Sequence, residues 1–391
     1  MVARRWINFA FVSVLLFSAI TAKAQSPSVA PAARVNPNNQ GKDHVVGLSP
    51  AEIRRAYGFD QIANQGSGQT IAIVSAFDTP AVENDLALFS NTFGLPACTT
   101  ANGCFTKVGT PPPPDPNVFP AALVELFQFE SAHDVEWAHA MAPEARIVLV
   151  QSTNAFLVNM LAGIDEAVHN QHATVVSISW GLGETRDRSG DYQFVAPGVS
   201  FVASSGDSGH PALWPATSAD VTAVGGTKLN TTSRGDYSTE LSWSDSGGGL
   251  STFVFALGIQ TAFTPNNPDG KRGVPDVAYD ADPNTGVAVY SSATGGWTQG
   301  GGTSVGAPPW SALIAIVNSM RVAAGKPVLS GANVPLYLAA SSGGYNDVTS
   351  GPKNGKCGAL CEAGPGYDYL TGLGSPKGNV LIPALVNLTL P

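Results

Sequence analysis

The chain has 391 residues, a formal net charge of −9 and a sequence pI of about 5.1. Its 20 basic residues form no dense patch, which argues against a nucleic-acid partner. Charged residues make up only 13 % of the chain, whereas 43 glycines and 29 prolines are typical of a loop-rich protein with apolar strands.

The first 24 residues have the order of a secretory signal peptide. A basic pair at residues 4–5 precedes an apolar run over residues 9–20, and Ala22-Lys23-Ala24 is a small-x-small cleavage site. The apolar run is short for a membrane anchor, and no later stretch is apolar enough to span a bilayer. We therefore expect a secreted or periplasmic protein with no membrane contact after cleavage. The arginine pair leaves twin-arginine export open.

Two regions follow the signal peptide. Residues 25–45 are rich in Pro, Ala, Asn and Gln and predict a flexible N-terminal segment. Residues 46–391 predict one folded domain, which begins where Ser49 precedes Pro50 and Glu52 in the pattern of a capped helix.

Strand-like and helix-like apolar patterns alternate along this domain. Strands are predicted over residues 70–74, 146–150, 173–178, 199–204 and 220–224, and helices over residues 81–93, 121–141, 157–169 and 310–319. Continuous Val/Ile/Leu runs between helices are typical of an α/β fold whose mainly parallel sheet is covered on both faces.

The four cysteines fall into two close pairs, Cys98 with Cys104 and Cys357 with Cys361. In an exported protein such pairs predict two local disulfides. A zinc site is the alternative, and it is disfavoured because no histidine is near either pair in the sequence.

The first motif that could carry chemistry is Gly301-Gly302-Thr303-Ser304, which precedes the apolar helix at 310–319. Glycines before a serine allow a sharp turn that presents the hydroxyl at a helix N-terminus, where backbone N–H groups can stabilise an anion. A plain helix cap is the structural alternative.

The second motif is Glu130-Ser131-Ala132-His133-Asp134. Glu130 and Asp134 are four residues apart, so both carboxyls share one helix face. Two carboxyls this close can hold a single proton between them and supply the base that a serine nucleophile needs. A solvated helix face is the alternative interpretation.

The third motif is Ser205-Gly206-Asp207-Ser208-Gly209, directly after the predicted strand at 199–204. Catalytic groups of parallel sheets lie beyond the carboxyl ends of strands, which is where this pattern puts Asp207. An ordinary turn would use the same residues.

The fourth motif lies in a Gly-rich region over residues 341–376. Asp347 and Asp368 offer carboxylates, and nearby glycines expose backbone carbonyls. Such an oxygen-rich set is what Ca²⁺ prefers, although turns stabilised by Asx side chains remain the alternative.

Taken in chain order, these four motifs resemble the sedolisin family of serine-carboxyl peptidases, which share a subtilisin-like fold. Supporting phrases extend the likeness over about residues 46–380, among them LSP at 48–50, FGLP at 93–96 and TGLGSP at 371–376. The resemblance implies a three-layer sandwich around a mainly parallel seven-stranded sheet.

The resemblance also implies a role for each motif. Ser304 would be the nucleophile, Glu130 its general base, Asp134 the partner of that base, and Asp207 the residue that stabilises the oxyanion. One structural calcium ion would be held by the Asp347 and Asp368 side chains and by the carbonyls of Val348, Gly364 and Gly366.

The function implied is a monomeric, secreted serine endopeptidase that cleaves proteins or peptides in acid. Asp207 can donate to an oxyanion only when protonated, whereas Glu130 can accept a proton only when ionised, so a bell-shaped pH profile below neutrality is expected. The chain departs from the family at His133, where an apolar residue is common. It also has only about twenty residues where a large prodomain is usual, so folding without that helper and folding with a separate one both stay open.

Three alternatives remain. A subtilisin-type protease would share the Gly-Thr-Ser element but needs a catalytic histidine in a Gly-rich helix start, and none of the six histidines has that setting. A trypsin-like enzyme with Ser208 as nucleophile would be all-β, which the pattern disfavours. A secreted binding protein on an inactive scaffold is the non-enzymatic alternative.

Overall fold

The computed structural model describes residues 27–353 and 358–390. The predicted signal peptide at 1–24 lies outside these residues, as does Cys357 of the second predicted disulfide. Within the described residues the helices are α1 (Pro50–Ala56), α2 (Val82–Phe93), α3 (Ala121–Met141), α4 (Leu157–Asp165), α5 (Ala307–Ala323), α6 (Asn333–Leu338) and α7 (Gly378–Asn387).

The strands of the same residues follow in chain order. They are β1 (Ala30–Pro31), β2 (Arg34–Lys42), β3 (Thr70–Ala76), β4 (Phe105–Val108), β5 (Arg146–Ser152), β6 (Val175–Ile178), β7 (Trp180–Gly181), β8 (Ser200–Ser204), β9 (Val221–Thr231), β10 (Tyr237–Ser242), β11 (Gly249–Phe255), β12 (Lys271–Val274), β13 (Val277–Asp280), β14 (Val287–Ser291), β15 (Gly296–Gly301), β16 (Tyr345–Asn346) and β17 (Ser375–Pro376).

The central sheet has the strand order β10-β9-β8-β6-β3-β5-β4, with β13 also paired to β9. Its neighbours are parallel except β10, which is antiparallel to β9. Seven parallel strands of the described chain therefore form the sheet that the sequence predicts, and one antiparallel strand extends it.

Both faces of this sheet are buried. Successive side chains of β3 point to opposite faces, so Ile71 and Ile73 join the core that contains Trp137 of α3, whereas Ala72 and Val74 join the core around Met160 of α4. The three-layer α/β prediction is confirmed. It explains why the strands are apolar throughout: neither face meets water.

Most predicted elements appear with small shifts at their ends. α3 has the predicted bounds, and α1 begins with the expected capping box, in which Ser49 accepts from the Glu52 N–H and Glu52 accepts from the Ser49 N–H. β9 runs beyond the predicted end at residue 224, because Gly225 continues the strand. A β-carbon there would come within 2.5 Å of the Pro275 ring, so that glycine serves close packing and not a turn.

The cysteine prediction is confirmed for the described pair. Cys98 and Cys104 form a disulfide with an S–S distance of 1.97 Å. The expectation that no histidine is near this pair is wrong in the folded chain, because α3 brings His139 to within 4.8 Å of both sulfurs. His139 Nε2 bonds to the Pro96 carbonyl, 2.8 Å away, and both sulfurs are used by the disulfide.

The N-terminal segment differs from the sequence expectation. The composition of residues 25–45 predicts flexibility, whereas from residue 27 onward the structure contains β1, paired with β7, and β2, paired with β15. Val29 and Ala32 of this segment are only 2 % and 3 % exposed. Composition could not reveal this order, since it arises from pairing with strands more than 140 residues away in the chain.

Candidate active site

The Ser304 turn lies between β15 and α5 and packs against β8, β9 and β13 of the central sheet. Gly302 has a φ of 97°, which L-residues with a side chain rarely adopt. A β-carbon on Gly302 would come within 2.4 Å of the Ala32 carbonyl oxygen and 2.5 Å of Asp207 Oδ2. The glycine therefore lets three chain segments meet, and Ser304 is fully buried at their meeting point.

Asp207 lies just beyond the carboxyl end of β8, as its motif predicts. Its Oδ1 accepts hydrogen bonds from the Thr303 N–H and hydroxyl, both at 2.8 Å. The Thr303 hydroxyl also accepts from the Gly206 N–H at 3.0 Å. These bonds fix the Asp207 loop to the Ser304 turn and leave Asp207 Oδ2, which is buried without a hydrogen-bond partner, on the side of the Ala32 carbonyl.

Glu130 and Asp134 project from the same face of α3 and are 2 % and 1 % exposed. Asp134 Oδ1 accepts from the Ser179 hydroxyl at 2.9 Å, whereas neither oxygen of Glu130 has a hydrogen-bond partner. The Ser304 hydroxyl is nonetheless close enough to Glu130 to lower the pKa of that carboxyl, although it directs its own proton to the Ala32 carbonyl. The structure thus brings Ser304, Glu130, Asp134 and Asp207 into one buried region.

His133 is a member of this cluster that the sequence motif does not assign. Its Nδ1 lies 3.2 Å from Asp134 Oδ1 and 3.8 Å from Glu130 Oε1. Burial lowers the pKa of His133, but the interactions with the neighbouring Asp134 and Glu130 carboxyls outweigh burial and raise it to about 9. In acid the ring is therefore a cation beside the two carboxyls. The one signal of His133 in the sequence is that the family commonly has an apolar residue at this position.

The pKa values of the three carboxyls of the site, those of Glu130, Asp134 and Asp207, are raised. Burial and the neighbouring Asp134 raise the pKa of Glu130, and burial raises that of Asp134, while the His133 cation opposes both shifts. The pair accommodates one negative charge much more readily than two. Burial also raises the pKa of Asp207 to about 6, against the opposing effects of the Thr303 hydrogen bonds and the Arg34 charge.

The described N-terminal segment passes directly through this site. The Ala32 carbonyl accepts from the Ser304 hydroxyl at 2.5 Å and from the Ser304 N–H at 3.2 Å, and the Ala32 N–H donates to the Ser179 carbonyl at 3.0 Å. Arg34, two residues further on, donates to the Asp207 carbonyl. No sequence pattern links residue 32 to residue 304, so this contact is visible only in the folded chain.

The predicted calcium ligands lie in a separate loop. The Gly366 N–H donates to Asp347 Oδ2 at 2.8 Å, and the Gly364 N–H donates to Asp368 Oδ2 at 3.1 Å. Asp368 Oδ1 also accepts from the N–H groups of residues 370 and 371. These bonds hold residue 366 against the Asp347 side chain and residue 364 against the Asp368 side chain, and the side-chain donors expected to bind Ca²⁺ are oxygens, the type that this ion prefers.

No helix of residues 27–353 and 358–390 is long and apolar enough to cross a bilayer.

Comparisons with known proteins agree with this geometry. The model of the subtilase family matches residues 130–334. Kumamolisin of Bacillus sp. (strain MN-32) is 33 % identical over an alignment of 374 positions that covers 86 % of this chain and 63 % of kumamolisin. Tripeptidyl-peptidase SED3 of Arthroderma otae is 31 % identical over an alignment of 233 positions that covers 48 % of this chain and 36 % of the relative. The chain thus spans less than two thirds of either relative.

A solved structure extends the match over the whole fold. Pseudomonas sedolisin, a serine-carboxyl proteinase crystallised with two molecules of pseudo-iodotyrostatin, superposes with a TM-score of 0.72 at 26 % identity. The match covers 87 % of this chain and 98 % of that one. The chain therefore belongs to the subtilase family, and within that fold its relatives are the serine-carboxyl peptidases of the sedolisin group.

Proposed function

We propose that the chain is an exported serine-carboxyl endopeptidase that hydrolyses proteins or peptides in acid. One observation carries this proposal: the Ser304 hydroxyl donates to a backbone carbonyl, that of Ala32, with Asp207 Oδ2 beside that carbonyl and Glu130 of the Glu130–Asp134 pair beside the hydroxyl. A nucleophile, a base and oxyanion donors around one carbonyl are the parts that acyl transfer requires.

The residues act in sequence on the carbonyl of the bond to be cleaved. The singly ionised Glu130–Asp134 pair accepts the Ser304 proton through Glu130 as the hydroxyl oxygen attacks. Charge develops on the carbonyl oxygen, where the Ser304 N–H and protonated Asp207 Oδ2 donate. The pair then returns its proton to the leaving amine, and water releases the acyl group by the reverse steps.

The N-terminal segment that lies in the cleft favours endopeptidase cleavage over the release of tripeptides. The segment that places Ala32 at Ser304 extends back at least to residue 27, whose carbonyl accepts from the Leu157 N–H at 2.8 Å. Six residues, 27–32, therefore fit on the amino-terminal side of the bond at the nucleophile. A tripeptidyl enzyme needs only three residues there.

The experiment that tests the proposal is hydrolysis of a denatured protein from pH 2 to 8. Activity should fall above about pH 6, because Asp207 loses the proton that it donates. It should also fall at the acid end, where the Glu130–Asp134 pair takes up its second proton. Mass spectra of the products should show internal cuts. Products that are all tripeptides would overturn the endopeptidase assignment, and a maximum at alkaline pH would overturn the mechanism.

Asp207→Asn should shift the alkaline limb of the pH–kcat/KM profile to higher pH. An asparagine oxygen can accept both Thr303 bonds while its amide donates to the oxyanion at every pH, whereas the carboxyl is protonated only below its pKa of about 6. At pH 7.5 the fraction of maximal activity that the variant keeps should be about thirtyfold larger than the fraction that wild type keeps. Matched pH–kcat/KM profiles measure this. An unchanged alkaline limb would remove Asp207 from the oxyanion role.

We also propose one calcium ion at the loop of Asp347, Val348, Gly364, Gly366 and Asp368. When bound, the ion would neutralise the two carboxylates and cross-link the segments that carry them. A chelator should lower the Tm of wild type by roughly 5 °C, the effect expected of a ligand near a hundred times its Kd. Asp347→Ala should have the lower Tm already and respond little to the chelator, whereas Asp269→Ala, at an exposed carboxylate of another loop, should respond as wild type. Equal responses by all three would exclude this site.

A further inference from the structure

The chain's own N-terminal segment lies in the cleft as an extended peptide. β1 pairs with β7, with Ala30 opposite Gly181, and β2 pairs with β15, with Arg34 opposite Gly301. β7 directly follows Ser179, and β15 leads into the Ser304 turn. A peptide that adds a strand to an existing strand edge binds through its backbone, and its side chains enter subsites on either side.

The contact between the Ala32 carbonyl and Ser304 fixes which bond of this peptide lies at the nucleophile. Ala32 O lies 2.5 Å from Ser304 Oγ and 3.2 Å from Ser304 N, beside Asp207 Oδ2. The bond between residues 32 and 33 is therefore the one presented for cleavage. Arg34 then occupies the second position after that bond.

The Arg34 side chain enters a site made by two loops. It donates to the Asp207 carbonyl, and its Nε lies 3.7 Å from Asp207 Oδ2. Its terminal nitrogen lies 3.8 Å from Asp245 Oδ2, and its guanidinium carbon is 6.0 Å from the centre of the Trp243 ring. Trp243 is 7 % exposed, so the ring is a fixed wall of the site.

These groups suit a guanidinium more than any other side chain. The Asp207 carbonyl accepts a hydrogen bond from the guanidinium, the Asp245 carboxylate lies at ion-pair distance, and an aromatic face attracts the charge. A lysine could use the charges but could not make the same set of directed contacts. The side chains of Arg34 and Asp245 are 38 % and 49 % exposed, so solvent screens their attraction and its effect is moderate.

We propose that Asp207, Asp245 and Trp243 form a substrate subsite that selects arginine at the second position after the cleaved bond. Arg34 of the N-terminal segment is the present occupant of that subsite. This inference rests on the proposed peptidase function, because it assigns a preference to the same cleft.

The test uses peptides with the sequence of residues 27–36 and compares Arg at the position of Arg34 with citrulline, its neutral isostere, and with lysine. The full chain and its Arg34→Ala variant, in which the tethered occupant is weakened, are both used as enzyme. The Arg peptide should have a kcat/KM about tenfold above that of the citrulline peptide, with lysine in between. The ratio should shrink at high salt, because the charges are partly exposed.

Two variants of the full chain test whether the preference for arginine depends on Asp245. Asp245→Asn should reduce the Arg-to-citrulline ratio to about two, because the remaining contacts do not depend on that charge. Glu144→Gln removes an exposed carboxylate at the amino end of β5, four strands along the sheet from β9, and should leave the ratio unchanged.

The outcomes separate the inference from the function on which it rests. Hydrolysis of all three peptides at equal rates, or an equal loss of preference in both variants, would overturn the subsite and leave the peptidase intact. Cleavage at another bond would overturn the register. If neither enzyme cleaves any peptide between pH 2 and 8, the proposed function itself fails.

Discussion

Replacing Ser304 by alanine is expected to lower kcat/KM for peptide hydrolysis by about a thousandfold or more. The substitution removes the hydroxyl that interacts with Glu130 and donates to the carbonyl of the bound peptide segment. Loss of the nucleophile of a serine peptidase costs this much or more, since the remaining donors act only on an attack that water must make. Steady-state kinetics on a peptide of residues 27–36 measures the change.

Ser311→Ala is the matched control for this experiment. Ser311 is a buried serine of the same helix region, and its hydroxyl donates to the Ala307 carbonyl within α5. Both substitutions remove one buried hydroxyl, so a general loss of stability would affect them alike. Activity should survive in Ser311→Ala, and circular dichroism should show both variants folded. A folded Ser304→Ala that retains wild-type kcat/KM would exclude Ser304 as nucleophile, whereas absence of hydrolysis by wild type as well would favour the inactive-scaffold alternative.

The sequence predicts the parts of this site better than their assembly. The i, i+4 spacing of Glu130 and Asp134, the turn glycines around Ser304 and the strand before Asp207 are local signals, and each residue is found where its pattern indicates. Their meeting depends on the packing of three separate parts of the fold: Asp207 follows β8 of the central sheet, Glu130 and Asp134 lie on α3, and Ser304 follows β15 of the three-stranded sheet. The resemblance to a known family supplied that step, which spacing alone could not.

What the sequence could not predict comes from contacts between distant segments. Ser179 donates one hydrogen bond to Asp134 and Thr303 donates two to Asp207, and no sequence pattern predicts either contact. His133 lies inside the predicted motif, yet its proximity to both carboxyls depends on how α3 is buried. The N-terminal segment is the largest difference, because a polar, Pro-rich stretch becomes ordered only by pairing with β7 and β15.

The position of that segment predicts that the full chain cuts itself once, between Ala32 and Ala33. Water is the co-reactant: the amide C–N bond breaks, residue 32 gains a carboxyl group, and residue 33 gains a free amino group. At the acid maximum, intact mass spectrometry and N-terminal sequencing of wild type should show a new terminus at Ala33, and the Ser304→Ala chain should stay uncut. Peptidase activity should rise as the cut proceeds, because the severed part no longer competes with substrate as a tethered occupant.

The concentration dependence of this reaction shows whether the occupant in the structure is the substrate. A tethered bond already held 2.5 Å from Ser304 Oγ at its carbonyl oxygen reacts within one molecule, so the rate constant should not change when the chain is diluted. Added Ser304→Ala chain, whose own segment fills its own cleft, should remain uncut in the same tube. A wild-type chain that hydrolyses free peptides but keeps its own bond intact would mean that the segment lies in the cleft as an inhibitor, with its carbonyl bound but not presented for attack.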